Sequence, residues 1–252
     1  MGRPFGEVPR GAETLTRERR FMVPAVPSEG EVEISGNEAH HLLHVLRLKP
    51  ADEVVIFDGR GTEYRAQLTR CGEDSATARI VGRSESRESP LHMTLAVAVP
   101  KMDSMSRIVQ KLTELGAHRI IPIVTARTTV TASGAARQLP RWQRIAAEAC
   151  KQSGRSMIPT IEAPMSFPEL LEMDLPAARF LLTVGGPSFR EQERHTSLVA
   201  AVGPEGGWTA EEIVAALAKG FAPVGLGPRT LRTETAALAA AAILQWLWGN
   251  SA

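Results

Sequence analysis

Between Arg20 and Gly82 the apolar positions come in short runs, many of them alternating with polar ones. Phe21-Met22-Val23 opens one predicted strand, and Glu31-Val32-Glu33-Ile34 alternates and starts a second. Val54-Val55-Ile56-Phe57 leads into Asp58-Gly59, a strong hairpin signal, and Tyr64-Arg65-Ala66-Gln67-Leu68 alternates on the far side. Ser75 to Val81 reads as a return strand after a turn at Cys71-Gly72-Glu73-Asp74. One helix interrupts: Asn37 is placed to cap Glu38 to Leu46, with Leu42, Leu43, Val45 and Leu46 on its apolar side. The pattern predicts a small β-barrel-like domain with one helix.

A polar, proline-containing linker follows at residues 83–92, with the domain boundary near residue 90. Beyond it strands and helices alternate, which predicts a largely parallel sheet covered by helices. Strands are expected at Thr94–Val99, Arg119–Val124, Phe180–Val184, Leu198–Val202 and Pro223–Leu226. An amphipathic helix is expected over 103–115, with Met105, Ile108, Val109, Leu112 and Leu115 on one face and Gly116 as its stop. Pro140 opens another that ends near Ser153 at Gly154. Ser166-Phe-Pro-Glu169 is a capping box for a short helix. The last helix spans about Thr233 to Trp248. Its stretch Ala236–Leu244 is apolar on nearly every face, which predicts burial in its own core or against a second subunit.

Residues 1–18 carry glycine, proline and charge without apolar periodicity and read as an arm. The sequence therefore divides into an arm at 1–18, a first domain at 19–85 and a second at 93–252.

Three glycine-rich loops stand out in the second domain, each after an expected strand. They are Leu181-Leu182-Thr183-Val184-Gly185-Gly186, Val202-Gly203-Pro204-Glu205-Gly206-Gly207-Trp208, and Leu226-Gly227-Pro228-Arg229-Thr230-Leu231-Arg232-Thr233-Glu234-Thr235. Thr209-Ala-Glu-Glu212 opens a helix directly after the second with a capping box. Loops at the carboxyl ends of parallel strands are where such sheets bind ligands. Backbone amides with walls such as Leu182, Leu226 and Leu231 suit a flat, uncharged ring such as adenine. One such loop alone would be read as a tight turn; three in succession favour a binding site. Neither G-x-x-x-x-G-K-[ST] nor G-x-G-x-x-G after a strand occurs, which disfavours a nucleoside triphosphatase or a nicotinamide enzyme. Gly203–Gly207 at a helix start could still take a phosphate, against the charge of Glu205.

Composition adds little: 43% hydrophobic, 23% charged and a net charge of +1 describe an ordinary globular chain. The distribution says more. Residues 99–155 hold ten Lys and Arg against three Asp and Glu. Arg107 and Lys111 share a helix face there, and such a patch suits RNA phosphates or is merely solvated. Cys71 and Cys150 stand in unrelated contexts and are expected as reduced thiols in a cytoplasmic protein. No apolar run approaches a membrane span. His40 and His44 share a spacing that metals use, but no acidic or cysteine partner is near in sequence, so no metal is expected.

Taken together, these segments resemble the RsmE family of 16S ribosomal RNA uridine N3-methyltransferases, within the SPOUT superfamily. The matching stretches are Arg20-Phe21, Glu38–Leu48, Phe57–Gly61, Lys111–Gly116, Glu148–Arg155, Gly203–Gly207 and Leu226–Thr235, and the likeness spans about residues 19 to 248. The last two motifs, in this order and distance, are specific. Trp208 stands where the family commonly has phenylalanine, and the arm precedes the usual start.

The resemblance implies an α/β fold: a SPOUT-type parallel-sheet domain tied in a trefoil knot, behind an N-terminal PUA-like β-barrel. It implies a homodimer that binds S-adenosylmethionine, releases S-adenosylhomocysteine and methylates N3 of uracil 1498 in 16S ribosomal RNA of the small subunit. The cofactor would lie against Leu182, Thr183, Gly185, Gly203, Pro204, Glu205, Gly206, Gly207, Leu226, Gly227, Arg229, Leu231, Arg232, Thr235 and Ala236. RNA would meet Arg19, Arg20, Arg47, Lys101, Arg107, Lys111 and Arg127. Uracil N3 carries a proton, so a cation by its carbonyls and a proton acceptor are needed. Arg232 is the first cation expected and Arg155 the second. Glu234 would accept the proton, orient Arg232, or simply pair with it.

Overall fold

The computed structural model describes residues 18–101 and 104–249. Nearly all of the expected arm at 1–18 lies outside the described residues. Chain contacts divide the molecule into two compact units: one runs to Phe57 and resumes over Glu63–Ser84, the other holds Asp58–Thr62 and everything from Glu85.

The first unit contains β1 (Arg20–Met22), β2 (Glu31–Ser35), the short helix α1 (Gly36–His40), β3 (Glu53–Phe57), β4 (Glu63–Cys71) and β5 (Ser75–Arg83). Its sheet has the order β1-β3-β4-β5-β2. Only the β1–β3 pairing is parallel. The inward positions of the alternating strands, among them Phe21, Ile34, Ile56, Leu68 and Ala78, form one core with Leu42. The helix differs from the expected one. It starts at Gly36 after Ser35 and continues as a π-helical turn over His41–Val45. Asn37 is thus inside the helix, not at its cap. Leu46 caps the wider turn, and Arg47 after it sits in the left-handed region at φ 54.

Arg20 faces inward. Its guanidinium bonds to the Glu63 carboxylate and lies 5.0 Å from the centre of the Phe57 ring. Both partners of this pair are buried. Arg20 is therefore a structural cation of the first unit, which corrects its reading as an RNA contact: a guanidinium spent on a buried carboxylate is not presented to phosphate.

The second unit holds β6 (His92–Ala98), α2 (Ser104–Glu114), β7 (Arg119–Val124), α3 (Ala132–Ala136), α4 (Leu139–Ser153), β8 (Thr160–Ile161), β9 (Met165–Ser166), α5 (Phe167–Leu171), β10 (Ala178–Leu182), β11 (Ser197–Val202), α6 (Ala210–Ala218), β12 (Ala222–Val224) and α7 (Thr233–Trp248). The strand order is β12-β10-β11-β6-β7-β8, with β9 also on β7, and every pairing is parallel. The central strands are largely apolar because both faces are covered. Leu95, Val97 and Ile120 point into a core shared with α2, α4 and α7. Ala96, Ala98, Ile121 and Ile123 point the other way, against Phe167, Leu170, Trp208 and Ala216. α4 stops at Gly154 in the left-handed conformation, φ 78, which a side chain disfavours. Both capping boxes, at Ser166 and Thr209, are formed.

α7 is buried on one side only. Ala237, Ala240, Ala241 and Leu244 are enclosed, whereas Ile243 and Trp246 are 37% and 62% exposed. Among the described residues no helix is long and apolar enough to cross a membrane.

Arg155 is 4% exposed. Its Nε and Nη2 donate to Glu88 Oε2 at 3.0 and 2.8 Å, and Nη1 donates to the carbonyls of Thr113 and Ala117 at 2.9 and 2.8 Å. Glu88 Oε1 in turn accepts from the N–H groups of Ser156 and Met157. The end of α4, the end of α2 and the segment before β6 are thus fastened by one charge pair. This corrects the expectation of Arg155 as a second catalytic cation: its hydrogen-bonding groups are turned into the protein.

Two groups in this region make stability depend on pH. Burial alone would raise the Glu88 carboxyl, but the bonds and charge of Arg155 and the two backbone N–H groups outweigh it and hold it below the usual 4.5. Half-buried His118 is held below 6.5, first by burial, then by His92 and Arg155 against the pull of Glu88. Its ring centre lies 4.5 Å from that of His92. Both folded values are depressed, so the unfolded chain binds protons first and stability falls as pH falls. Urea midpoints should decline from about pH 6.5 and again from about pH 4.5, and His118→Gln should remove the upper decline.

Candidate active site

β10, β11 and β12 run parallel, so their carboxyl ends and the three glycine-rich loops meet at one edge of the sheet. The first and third loops touch through bare backbone. Thr183 N–H donates to the Val224 carbonyl at 2.8 Å, and Gly225 N–H donates to the Pro187 carbonyl at 2.7 Å. A Cβ on Gly225 would lie 2.5 Å from the Gly186 carbonyl oxygen and 2.6 Å from its nitrogen. No side chain fits there. Gly225→Ala is expected to lose about 1–3 kcal/mol by overpacking, read in urea. Gly225 has no positive φ, so its loss is steric; Gly220→Ala, with open space around its Cβ but φ +80, measures the separate cost of a left-handed backbone.

The second loop is fixed at both ends. Thr233 Oγ1, at the start of α7, donates to the Gly203 carbonyl at 2.9 Å. The Trp208 indole N–H donates to the Leu182 carbonyl at 2.9 Å, and its ring lies 4.7 Å from Phe167. The same ring fills the space that a Cβ on Gly203 would need, at 3.0 Å.

The three loops enclose a cavity of about 450 Å³, the size of a small-molecule site. Leu182, Thr183, Gly203, Pro204, Glu205, Gly206, Gly207, Leu226, Gly227, Arg229, Leu231 and Ala236 line it, as do Val184, Val202, Trp208, Ile213, Thr230 and Thr233. Of the cofactor residues expected from sequence, Gly185, Arg232 and Thr235 are not in the lining. Of the lining residues that sequence reasoning missed, Val184, Trp208 and Thr230 belong to the loops themselves, Val202 ends β11, and Ile213 and Thr233 belong to α6 and α7. Trp208 had a visible signal, being the large aromatic closing the glycine loop. Ile213 had none beyond its place in α6.

Arg232 is the N-cap residue of α7, exposed, and stands between Leu231 and Thr233 of the lining. Glu234 is half-buried, and its carboxylate reaches Arg107 of α2 at 3.8 Å. Of the three expectations for Glu234, the simple pair is met here by Arg107, and proton acceptance and orientation of Arg232 stay open. An exposed arginine and a carboxylate–arginine pair therefore sit where α7 begins beside the cavity.

The remaining cations expected at RNA differ in setting. Arg19 pairs with Asp52 at 3.3 Å. Arg47 and Lys101 are exposed. Arg107 is 68% exposed at its side chain, and Lys111 holds Glu114 at 2.8 Å. Arg127 donates to the carbonyls of Gly206 and Trp208. The His40 and His44 rings lie 5.0 Å apart. Among the described residues no three His, Cys, Asp or Glu are grouped to hold a metal.

Known proteins match this arrangement over most of the chain. Residues 87–245 match an RNA methyltransferase domain, and residues 34–81 match an RNA methyltransferase PUA domain. A ribosomal RNA small subunit methyltransferase E from Synechocystis is 39% identical, with 86% of this chain and 74% of the relative aligned. The protein of the same name from Bacillus subtilis is 32% identical, over 84% and 89%. Among solved structures, ribosomal RNA small subunit methyltransferase E from Neisseria gonorrhoeae bound to S-adenosyl methionine superposes with TM-score 0.84 at 35% identity, over 92% and 98% of the two chains. A Legionella pneumophila protein solved in complex with the bound cofactor SAM gives 0.82 at 32%, over 93% and 99%. With a PUA-like unit and an α/β sheet in one chain, and this identity across most of each relative, the chain belongs to the ribosomal RNA small subunit methyltransferase E family.

Proposed function

We propose that the protein transfers a methyl group from S-adenosylmethionine to N3 of uracil 1498 in 16S ribosomal RNA, as a cytoplasmic homodimer acting on the small subunit. The observation that carries the reading is the cavity made by the three glycine loops. Its apolar walls, Leu182, Val202, Ile213, Leu226 and Leu231, suit a flat adenine, and backbone groups supply polar contacts. Glu205 and Arg229 both stand in the lining, so the cavity has no excess of cations to hold a polyphosphate. The residues therefore fit S-adenosylmethionine better than a nucleoside triphosphate. Bound there, the cofactor supplies an electrophilic methyl group on a sulfonium.

The chain's own part is to present the base and manage its proton. Arg232, exposed at the start of α7, provides positive charge for the uracil carbonyls as N3 loses its proton. Glu234, held by Arg107, is the acceptor or the group that orients Arg232. The target base leaves its stack to reach such a site. Among the cations proposed to meet RNA, Arg19, Arg47, Lys101, Arg107 and Lys111 remain; attraction of this kind weakens with salt.

The trefoil knot belongs to the same proposal, as do the units at 19–85 and 93–252. The exposed apolar face of α7, with Ile243 and Trp246, supports the homodimer. Calorimetry tests the cavity. S-adenosylmethionine and S-adenosylhomocysteine should each bind at one per chain, while ATP should not. Preference for ATP would support a nucleotide-binding module instead.

A further inference from the structure

We propose that Arg127 is a positioning residue that clamps the cofactor loop Gly203–Trp208 from outside, and is not a phosphate contact. The inference rests on reading the cavity as the S-adenosylmethionine site.

Arg127 lies in the turn that follows β7. That turn is stiffened by Thr128, whose Oγ1 accepts from the Thr125 N–H at 3.1 Å and bonds the Thr125 hydroxyl at 2.9 Å. The aliphatic stem of Arg127 crosses Gly206. A Cβ on Gly206 would lie 3.3 Å from both Cβ and Cδ of Arg127. Nη1 then donates to the Gly206 carbonyl at 2.6 Å and to the Trp208 carbonyl at 3.3 Å. Beside it, Ala126 N–H donates to Glu212 Oε1 at 2.8 Å, and Glu212 Oε2 accepts from Thr209 N–H at 2.9 Å. One turn thus holds the loop and its exit at positions 206, 208 and 209.

The loop is held from within by Thr233 and by the Trp208 indole. Arg127 supplies the opposing grip. Two of the peptide groups it orients belong to residues that line the cavity, so the clamp fixes the wall against which the ligand rests. Loop-ordering contacts of this kind raise affinity by removing a cost that binding would otherwise carry.

Charge supports the same assignment. Glu211 and Glu212 stand in the first turn of α6, and Glu205 is in the loop itself. Glu211 is held below its usual range, first by its own backbone N–H and the Thr209 hydroxyl, and also by the charge of Arg127. A phosphate approaching Arg127 would meet these carboxylates. The glycine at 206 also gains a reason: a side chain there would displace the arginine stem before it touched a ligand.

The test uses the full chain with Arg127→Met, which keeps the stem and removes the guanidinium, and Arg127→Lys, which restores one donor. S-adenosylmethionine affinity is measured by calorimetry, steady-state kinetics by methyl transfer to small subunits, and binding of deproteinised small-subunit RNA across a salt series. For Arg127→Met, Kd and KM for S-adenosylmethionine should rise on the order of tenfold, with kcat and the salt slope near wild type. Arg127→Lys should recover part of the loss. The melting temperature without cofactor should be unchanged. A wild-type Kd with a salt slope shallower by about one would make Arg127 a phosphate contact and overturn the proposal. A melting temperature that falls in step with affinity would make it a general structural contact and overturn it equally. A wild-type chain that does not bind S-adenosylmethionine at all would remove the cavity reading first, and this inference with it.

Discussion

Glu88→Ala is expected to destabilise the second unit by about 3–5 kcal/mol, the usual result of stranding a buried charge. Arg155 would keep its bonds to the Thr113 and Ala117 carbonyls but lose the carboxylate that neutralises it. The side chains of this pair are only 5% and 11% exposed, so water cannot replace the missing partner. The N–H groups of Ser156 and Met157 would lose their acceptor as well. Arg155→Met alone should be similarly damaging, because it leaves the carboxylate buried. The double variant should recover the part due to the orphaned charge, and not the part due to unmet backbone groups. Urea unfolding of the four proteins measures both shares. Equal and additive losses would show that the two side chains act independently.

Arg232→Ala should lower kcat on the order of 100- to 1000-fold, the range for removing one donor that stabilises charge in a transition state. S-adenosylmethionine affinity should change little, because Leu231 and Thr233 line the cavity while Arg232 itself does not. Single-turnover kinetics and calorimetry separate the two quantities. Equal losses in turnover and affinity would place Arg232 at the cofactor. Arg107→Ala should give a smaller loss in turnover, since it touches the Glu234 carboxylate and not the base.

Much of the second unit was legible because its signals are local and agree with one another. The bounds of α7 at Thr233 and Trp248, the stop of α4 at Gly154 and the two capping boxes each follow from residues adjacent in sequence. α3 was not legible: Ala132-Ser-Gly-Ala-Ala has no apolar period, and its cap by Thr131 is the only cue. The π-helical turn at His41–Val45 looks like an ordinary helix in sequence, because one extra residue per turn leaves the apolar pattern almost intact.

The site was legible in its loops and less so in its charges. Glycine loops after strands point to a cavity wherever the strands are parallel. Arginines carry no such mark. Arg20 reads as an RNA contact and Arg155 as a catalytic cation until Glu63 and Glu88, more than forty and sixty residues away, are seen to bury them. The pairing of Glu234 with Arg107 is equally nonlocal. Apolar composition made α7 look buried on all sides, whereas Ile243 and Trp246 are exposed in the single chain.

The most direct measurement is transfer of labelled methyl from S-adenosylmethionine to purified small subunits that lack their own modification, followed by mass spectrometry of the product nucleosides. The account predicts N3-methyluridine at a single site. Another methylated nucleoside, or no transfer by a protein that binds the cofactor, would contradict it.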